Sequence, residues 1–120
     1  MSHPLIDDLR QAAQRIRQSE AEARAAMDRG DEARYRELYA EKADILLDLP
    51  ELVAPHMAEL PDDLALRVSE EAEGFAHRAG QARRLNSIFY MYALLYPADY
   101  KEGDPNDLER FIAGIEAELG

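Results

Sequence analysis

Ile88-Phe89-Tyr90-Met91-Tyr92-Ala93-Leu94-Leu95-Tyr96 is a run of nine apolar residues in a 120-residue chain of which 32% is charged, with a formal net charge of -11. A segment apolar on every side must be surrounded, by its own fold or by a partner. It is far shorter than the ~20 residues that cross a bilayer. Its aromatic content would suit a strand, but a strand needs a partner strand. No second segment alternates apolar and polar residues between turn signals. The run is therefore expected to be helical, and its setting decides the fold.

Upstream, the run continues a register that begins at Asp62 or Asp63: Ala65, Val68, Ala72, Phe75, Ala79, Ala82, Asn86, Phe89, Ala93 and Tyr96 recur at spacings of three and four. That pattern predicts one long third helix. A second stripe, Leu85, Ile88, Tyr92 and Leu95, joins it in the second half and makes this helix the central element. Gly74 and Gly80 mark a bend or a close helix crossing. Asn86 falls on the stripe, where it would fix helix register or bond water at the stripe edge. Tyr90 and Met91 belong to neither stripe, so they are the residues of the run left for a partner.

Further out, Leu5, Leu9, Ala12, Ile16, Ser19, Ala23 and Ala26 form the narrow stripe of a first helix, stopped by Gly30. Asp31 caps a second helix whose apolar side holds Tyr35, Leu38, Tyr39, Ala43, Leu46 and Leu49. Pro50, Pro55 and Pro61 bound a short helical connector. Asp104-Pro105 starts a final helix with Leu108, Phe111, Ile112, Ile115 and Leu119 on its face. The expected architecture is all-α: an antiparallel helical bundle of four main helices, with a long central third helix and a short Pro-bounded connector helix, forming one domain over residues 1-120.

Composition narrows the chemistry. The chain has no cysteine, which removes disulfides, thiolate metal sites and cysteine nucleophiles. The first ten residues carry two aspartates and no apolar core of a leader peptide, so a cytoplasmic protein without membrane attachment is expected. Charge is unevenly spread: residues 1-36 are balanced, 37-73 carry -9, 74-98 carry +3 through Arg78, Arg83 and Arg84, and 99-120 carry -5. Such a surface repels phosphates and attracts basic partners, so direct nucleic-acid binding is not expected outside a local exception at those arginines.

Candidate sites follow from the same pattern. Glu37, Glu41, Asp44 and Asp48 form an acidic stripe on the second helix, and Glu70, Glu71 and Glu73 are the other dense carboxylates. These seven residues with Tyr90 and Met91 are the expected partner-binding set. Glu73 and His77 at i and i+4 read as a solvated helix pair, since the diiron pattern needs Glu-x-x-His on two helices. His3 is expected in a loose terminus and His56 on the surface of the connector. Asp104 is expected to cap the final helix rather than bind calcium, because the spacing around Gly103 is not that of a calcium loop. No serine has the context of a nucleophile elbow, and the six glycines are not grouped as a phosphate loop requires.

The function expected is a noncatalytic protein-protein interaction module, without cofactor or metal. It would bind a basic or apolar protein partner through the acidic and Tyr/Met surfaces, or form a homodimer through the latter. One alternative is an acidic nucleic-acid mimic, of the kind phages use against host defence, that occludes a basic groove. Another is a metal-dependent all-α phosphohydrolase using Glu37, Glu41, Asp44 and Glu70 or Glu73.

Overall fold

The computed structural model describes residues 3–120, and every regular element among them is helical. Six α-helices follow in order: α1 Pro4–Asp28, α2 Glu32–Leu47, α3 Leu49–Val53, α4 Asp62–Arg84, α5 Ile88–Ala93 and α6 Asp107–Leu119. A 3₁₀ segment, Ala54–Glu59, links α3 to α4. No helix among the described residues is long and apolar enough to cross a membrane.

α1 opens on His3, whose Nδ1 accepts the Leu5 N–H at 3.1 Å ahead of Pro4 at the first helical position. The residue expected in a loose terminus is thus a helix cap. α1 closes at Gly30, held at φ 79°, with Asp31 N–H on the Ala26 carbonyl at 2.8 Å and Gly30 N–H on that of Met27 at 3.0 Å. This is the Schellman ending that a left-handed glycine permits. The buried stripe of α1 is the one read from the sequence, widened by Ile6 and Ala13.

Side-chain pairs fix how the helices run. Asp44 with Arg83, and Leu47 beside Gly80, set α2 antiparallel to α4. Arg17 with Glu109, and Arg10 with Glu116, do the same for α1 and α6. Phe75 with Phe111, and Arg67 with Glu118, oppose α4 and α6. One contiguous apolar core runs through the molecule. Its most extensive seam is α1 against α2, and α4 lies on the outer side of α2 and α3. The expectation of a central third helix is corrected: the alanine stripe of α1 lets α2 approach closely, and α2, between α1 and α4 and touching α3 and α5, takes the centre instead.

The third helix is also shorter than its sequence register. α4 ends at Arg84, because Asn86 turns left-handed at φ 49° and the chain closes another Schellman ending. Ser87 N–H reaches the Ala82 carbonyl at 3.2 Å and Asn86 N–H reaches that of Arg83 at 3.0 Å. Ser87 Oγ then accepts the Tyr90 N–H at 3.2 Å and starts α5 in a new direction. The first predicted stripe therefore stops at Ala82, and the second does not form one face, since Leu85 and Tyr92 are exposed while Leu95 is buried. Met91 turns into the core at 2% exposure, whereas Leu85, Phe89, Tyr90 and Tyr92 stand out at 65%, 71%, 52% and 53%. Met91 cannot line a docking surface, which corrects its place in the partner-binding set.

α6 begins at Asp107, two residues later than Pro105 suggested. Its cap is Asn106 in a reciprocal capping box: Asn106 Oδ1 takes the Glu109 N–H at 2.9 Å and Glu109 Oε1 takes the Asn106 N–H at 2.8 Å. Asp104 instead accepts the Lys101 N–H at 3.1 Å within the preceding loop.

Candidate functional site

A charged residue sits where the core should be apolar. Lys42 shares the inward face of α2 with Leu38, Tyr39, Ile45 and Leu46, and its side chain is 0% exposed. Its ammonium lies 3.0 Å from Glu20 Oε2 on α1 and donates to the Tyr92 carbonyl at 3.0 Å. The Tyr96 and Tyr39 rings lie 4.9 and 5.5 Å from it, within range of a cation–π attraction. Burial pulls the Lys42 pKa down, and the neighbouring Glu20 carboxylate opposes that shift. The Tyr92 carbonyl is one of the orphaned acceptors at the end of α5, so a buried cation caps this helix.

Tyr96 extends the cluster by donating its hydroxyl to Glu20 at 2.7 Å. Beside it, Arg17 donates to both Glu109 carboxylate oxygens, at 2.7 and 3.2 Å, and reaches the Tyr96 hydroxyl at 3.3 Å and the Asp104 carbonyl at 3.4 Å. The Arg17 hydrogen bond holds Glu109 below the usual carboxylate range. Burial raises the Tyr39 and Tyr96 phenols well above their ordinary value. Two cations thus tie the segment after α5 to α1 and α2. Within that segment Leu95 stands at φ 77°, a left-handed conformation costing a leucine ~1–2 kcal/mol, with its carbonyl accepting the Asp107 N–H at 2.9 Å.

What this cluster holds out is an aromatic edge. Leu85, Phe89, Tyr90 and Tyr92 project from the elbow between α4 and α5, with Phe89 and Tyr90 edge to face at 5.7 Å and Tyr92 against Tyr39 at 5.5 Å. Below Tyr90 a cavity of about 710 Å³ opens between the last turns of α4 and the segment Ala93 to Tyr96. Its walls are apolar at Ala82, Leu94 and Leu95, with Arg78 and Arg84 at the rim. Tyrosine and phenylalanine on a fixed backbone give large contact area at low entropic cost, which is the composition of protein contact surfaces.

The remaining predicted residues do not converge on this edge. Glu37, Glu41, Asp44 and Asp48 are exposed along α2, but Arg34 pairs with Glu37 at 3.1 Å and Arg83 with Asp44 at 3.1 Å. Half of the stripe is thereby neutralised by this chain's own arginines, and the phosphate-like charge row is broken. Glu70, Glu71 and Glu73 are exposed on α4, about 15–20 Å along the helix from Arg83, which marks the level of Asp44. Among the described residues no three His, Asp or Glu side chains gather as a group that could hold a metal ion. His56, expected on the surface, is mostly covered and bonds Asp8 at 2.7 Å.

Lys42 and Glu20 were missed by the sequence reading, although a signal existed. Lys42 follows Leu38 by four and Tyr39 by three, and Glu20 follows Ile16 by four, so both occupy stripe positions. Opposite charges on the stripes of two adjacent helices are the mark of a buried pair. No family model, curated protein or solved structure matches this chain.

Proposed function

We propose that this chain is a noncatalytic protein-protein interaction module that docks through the elbow of α4 and α5. Its fold reads as an antiparallel bundle of four main helices, α1, α2, α4 and α6, with the elbow as a rigid projection at one end. The observation that carries the reading is the exposure of Leu85, Phe89 and Tyr90 at the elbow, on a segment pinned by the Lys42–Glu20 pair through the Tyr92 carbonyl. Single exposed apolar residues are ordinary; three large ones at one elbow, two of them ring against ring, read as a contact patch. Pre-ordering of the elbow removes part of the entropic cost of association. The partner contacts it with apolar groups, and the half-neutralised acidic ridge of α2 is secondary.

The test is a paired Phe89→Asp and Tyr90→Asp variant. Both side chains are solvent-facing, so the thermal midpoint should hold while complex formation with the partner, followed by size-exclusion chromatography with light scattering, is lost. If the partner is a second copy of the chain, the mass halves in the variant. A complex indifferent to both substitutions, or a chain that remains monomeric with every candidate partner, would overturn the proposal.

A further inference from the structure

The cavity beneath Tyr90 follows from where the helices stop. Arg78, Ala82 and Leu85 lie at i, i+4 and i+7, on one face of α4. Across from that face stand the segment Ala93 to Tyr96, where α5 has ended, and Asp107, where α6 begins. An extended segment fills less space than a helix would, and a volume of about 710 Å³ stays open. The wall is also strained: Leu95 is left-handed, and its carbonyl is held by the Asp107 N–H. Strain of this kind in a residue other than glycine gathers at ligand clamps.

Its lining joins accessible apolar surface to an unpaired cation. Leu85 and Tyr90 are exposed, Ala93 and Leu94 are half-buried, and Ala82 and Leu95 close the floor. Two arginines and one acid border it, and they are not evenly placed. Arg78 and Asp107 also line the neighbouring depression between α4 and α6, so they share one end of the cavity. Arg84 lies two helical turns further along α4, about 9 Å at 1.5 Å per residue, at the end that has no carboxylate. Among the described residues Arg84 forms no salt bridge, whereas Arg83 beside it is paired with Asp44. The volume falls within the ~300–1,000 Å³ of small-molecule pockets, which are mostly apolar with a few placed polar groups.

We propose that this cavity binds a small organic acid with an apolar body, of the size of a medium-chain fatty acid. The carboxylate takes the guanidinium of Arg84, and the hydrocarbon runs back along α4 over Ala82, Leu94 and Leu95. A planar guanidinium matches a carboxylate fork to fork, which fixes the orientation, while burial of the apolar body supplies the affinity. The site goes beyond the docking of a protein at the elbow and does not require it.

The test is an amide NMR titration of the full chain with octanoate, and with octanol and octylammonium as neutral and cationic probes of the same length. Octanoate should saturate one site per chain, with shifts centred on Ala93 to Leu95, and should bind at least tenfold tighter than the other two. Arg84→Gln, at an exposed position, should weaken octanoate about tenfold and leave octanol unchanged. Arg78→Gln, at the end shared with Asp107, should change octanoate by less than about threefold. Ala93→Trp, and from the α4 side the exposed Gln81→Trp, fill the cavity and should each remove octanoate binding with the helical spectrum retained. Equal affinity for the three probes, indifference to Arg84→Gln, binding that survives both tryptophans, unsaturable uptake, or no shifts at all would overturn the inference. Phe89→Asp should leave octanoate binding intact, so a failure of the elbow and a failure of the cavity read out separately.

Discussion

Replacing Lys42 by methionine removes the one cation buried among the described residues and keeps most of its volume. Glu20 then faces an apolar side chain, and the Tyr92 carbonyl loses its donor. Breaking a buried ion pair from one side costs ~3–5 kcal/mol, because the remaining charge is left uncompensated. Glu20 retains the Tyr96 hydroxyl at 2.7 Å and its side chain is 12% exposed, which places the expected loss near the lower bound, about 3 kcal/mol. At ~2.1 cal/mol/K of unfolding entropy per residue, the chain loses about 0.25 kcal/mol per degree, so the melting temperature should drop by about 12 °C. Replacing both partners, Lys42→Met with Glu20→Leu, removes the desolvation cost together with the attraction. That double variant should lie within ~1 kcal/mol of the parent or above it. Urea unfolding followed by far-ultraviolet circular dichroism suits a chain without tryptophan. A single variant that loses less than ~1 kcal/mol, or a double variant that loses the sum of both singles, would refute the reasoning.

The Arg17–Glu109 pair should give an acid-sensitive increment. Glu109 is depressed in the folded chain, so its contribution is present above the unfolded carboxylate pKa of ~4.3 and fades as pH falls through the folded value. Glu109→Gln should therefore cost about 1 kcal/mol at neutral pH, after solvent screening of the half-exposed Arg17, and nothing in strong acid; a deficit constant with pH would contradict the assignment. Gly114→Ala should stabilise by about 1 kcal/mol, being interior to α6 with free space at Cβ, while Gly30→Ala should lose a similar amount because of its positive φ. Equal responses of the two glycines in thermal melts would count against both. Asn86→Gly should be close to neutral and Asn86→Val should cost at least ~1 kcal/mol, because a β-branched residue resists the left-handed turn that ends α4; a neutral valine would mean that α4 does not end there.

Much of the architecture was legible because stripe spacing and stop signals agree. Gly30-Asp31 marks the first hairpin by residue type alone, and the alanine stripe of α1 is buried as read. The third helix was misread where those signals disagree. Spacing carries the register through Asn86 to Tyr96, but Asn86-Ser87 is a helix stop followed by a helix start, and local capping defeated periodicity. That single error put Met91 outside and Phe89 inside, the reverse of their places. The acidic residues were legible as exposed but not as paired, because Arg83 and Asp44 meet only through the antiparallel register of two helices. Lys42 lay in plain view on the stripe of α2. Its burial becomes intelligible only when Glu20 is known to face it.

The chain's lack of cysteine allows the turning-in of Met91 and the turning-out of Phe89 to be measured side by side. Single variants Phe89→Cys and Met91→Cys would be labelled with a thiol reagent under native conditions, each compared with its own rate in urea. With the helix broken at Asn86, the thiol at position 89 should react at close to the unfolded rate. The one at position 91 should react at least ~100-fold slower, gated by local opening. Protection at position 89 with free reaction at 91 would restore an unbroken third helix and remove the docking edge.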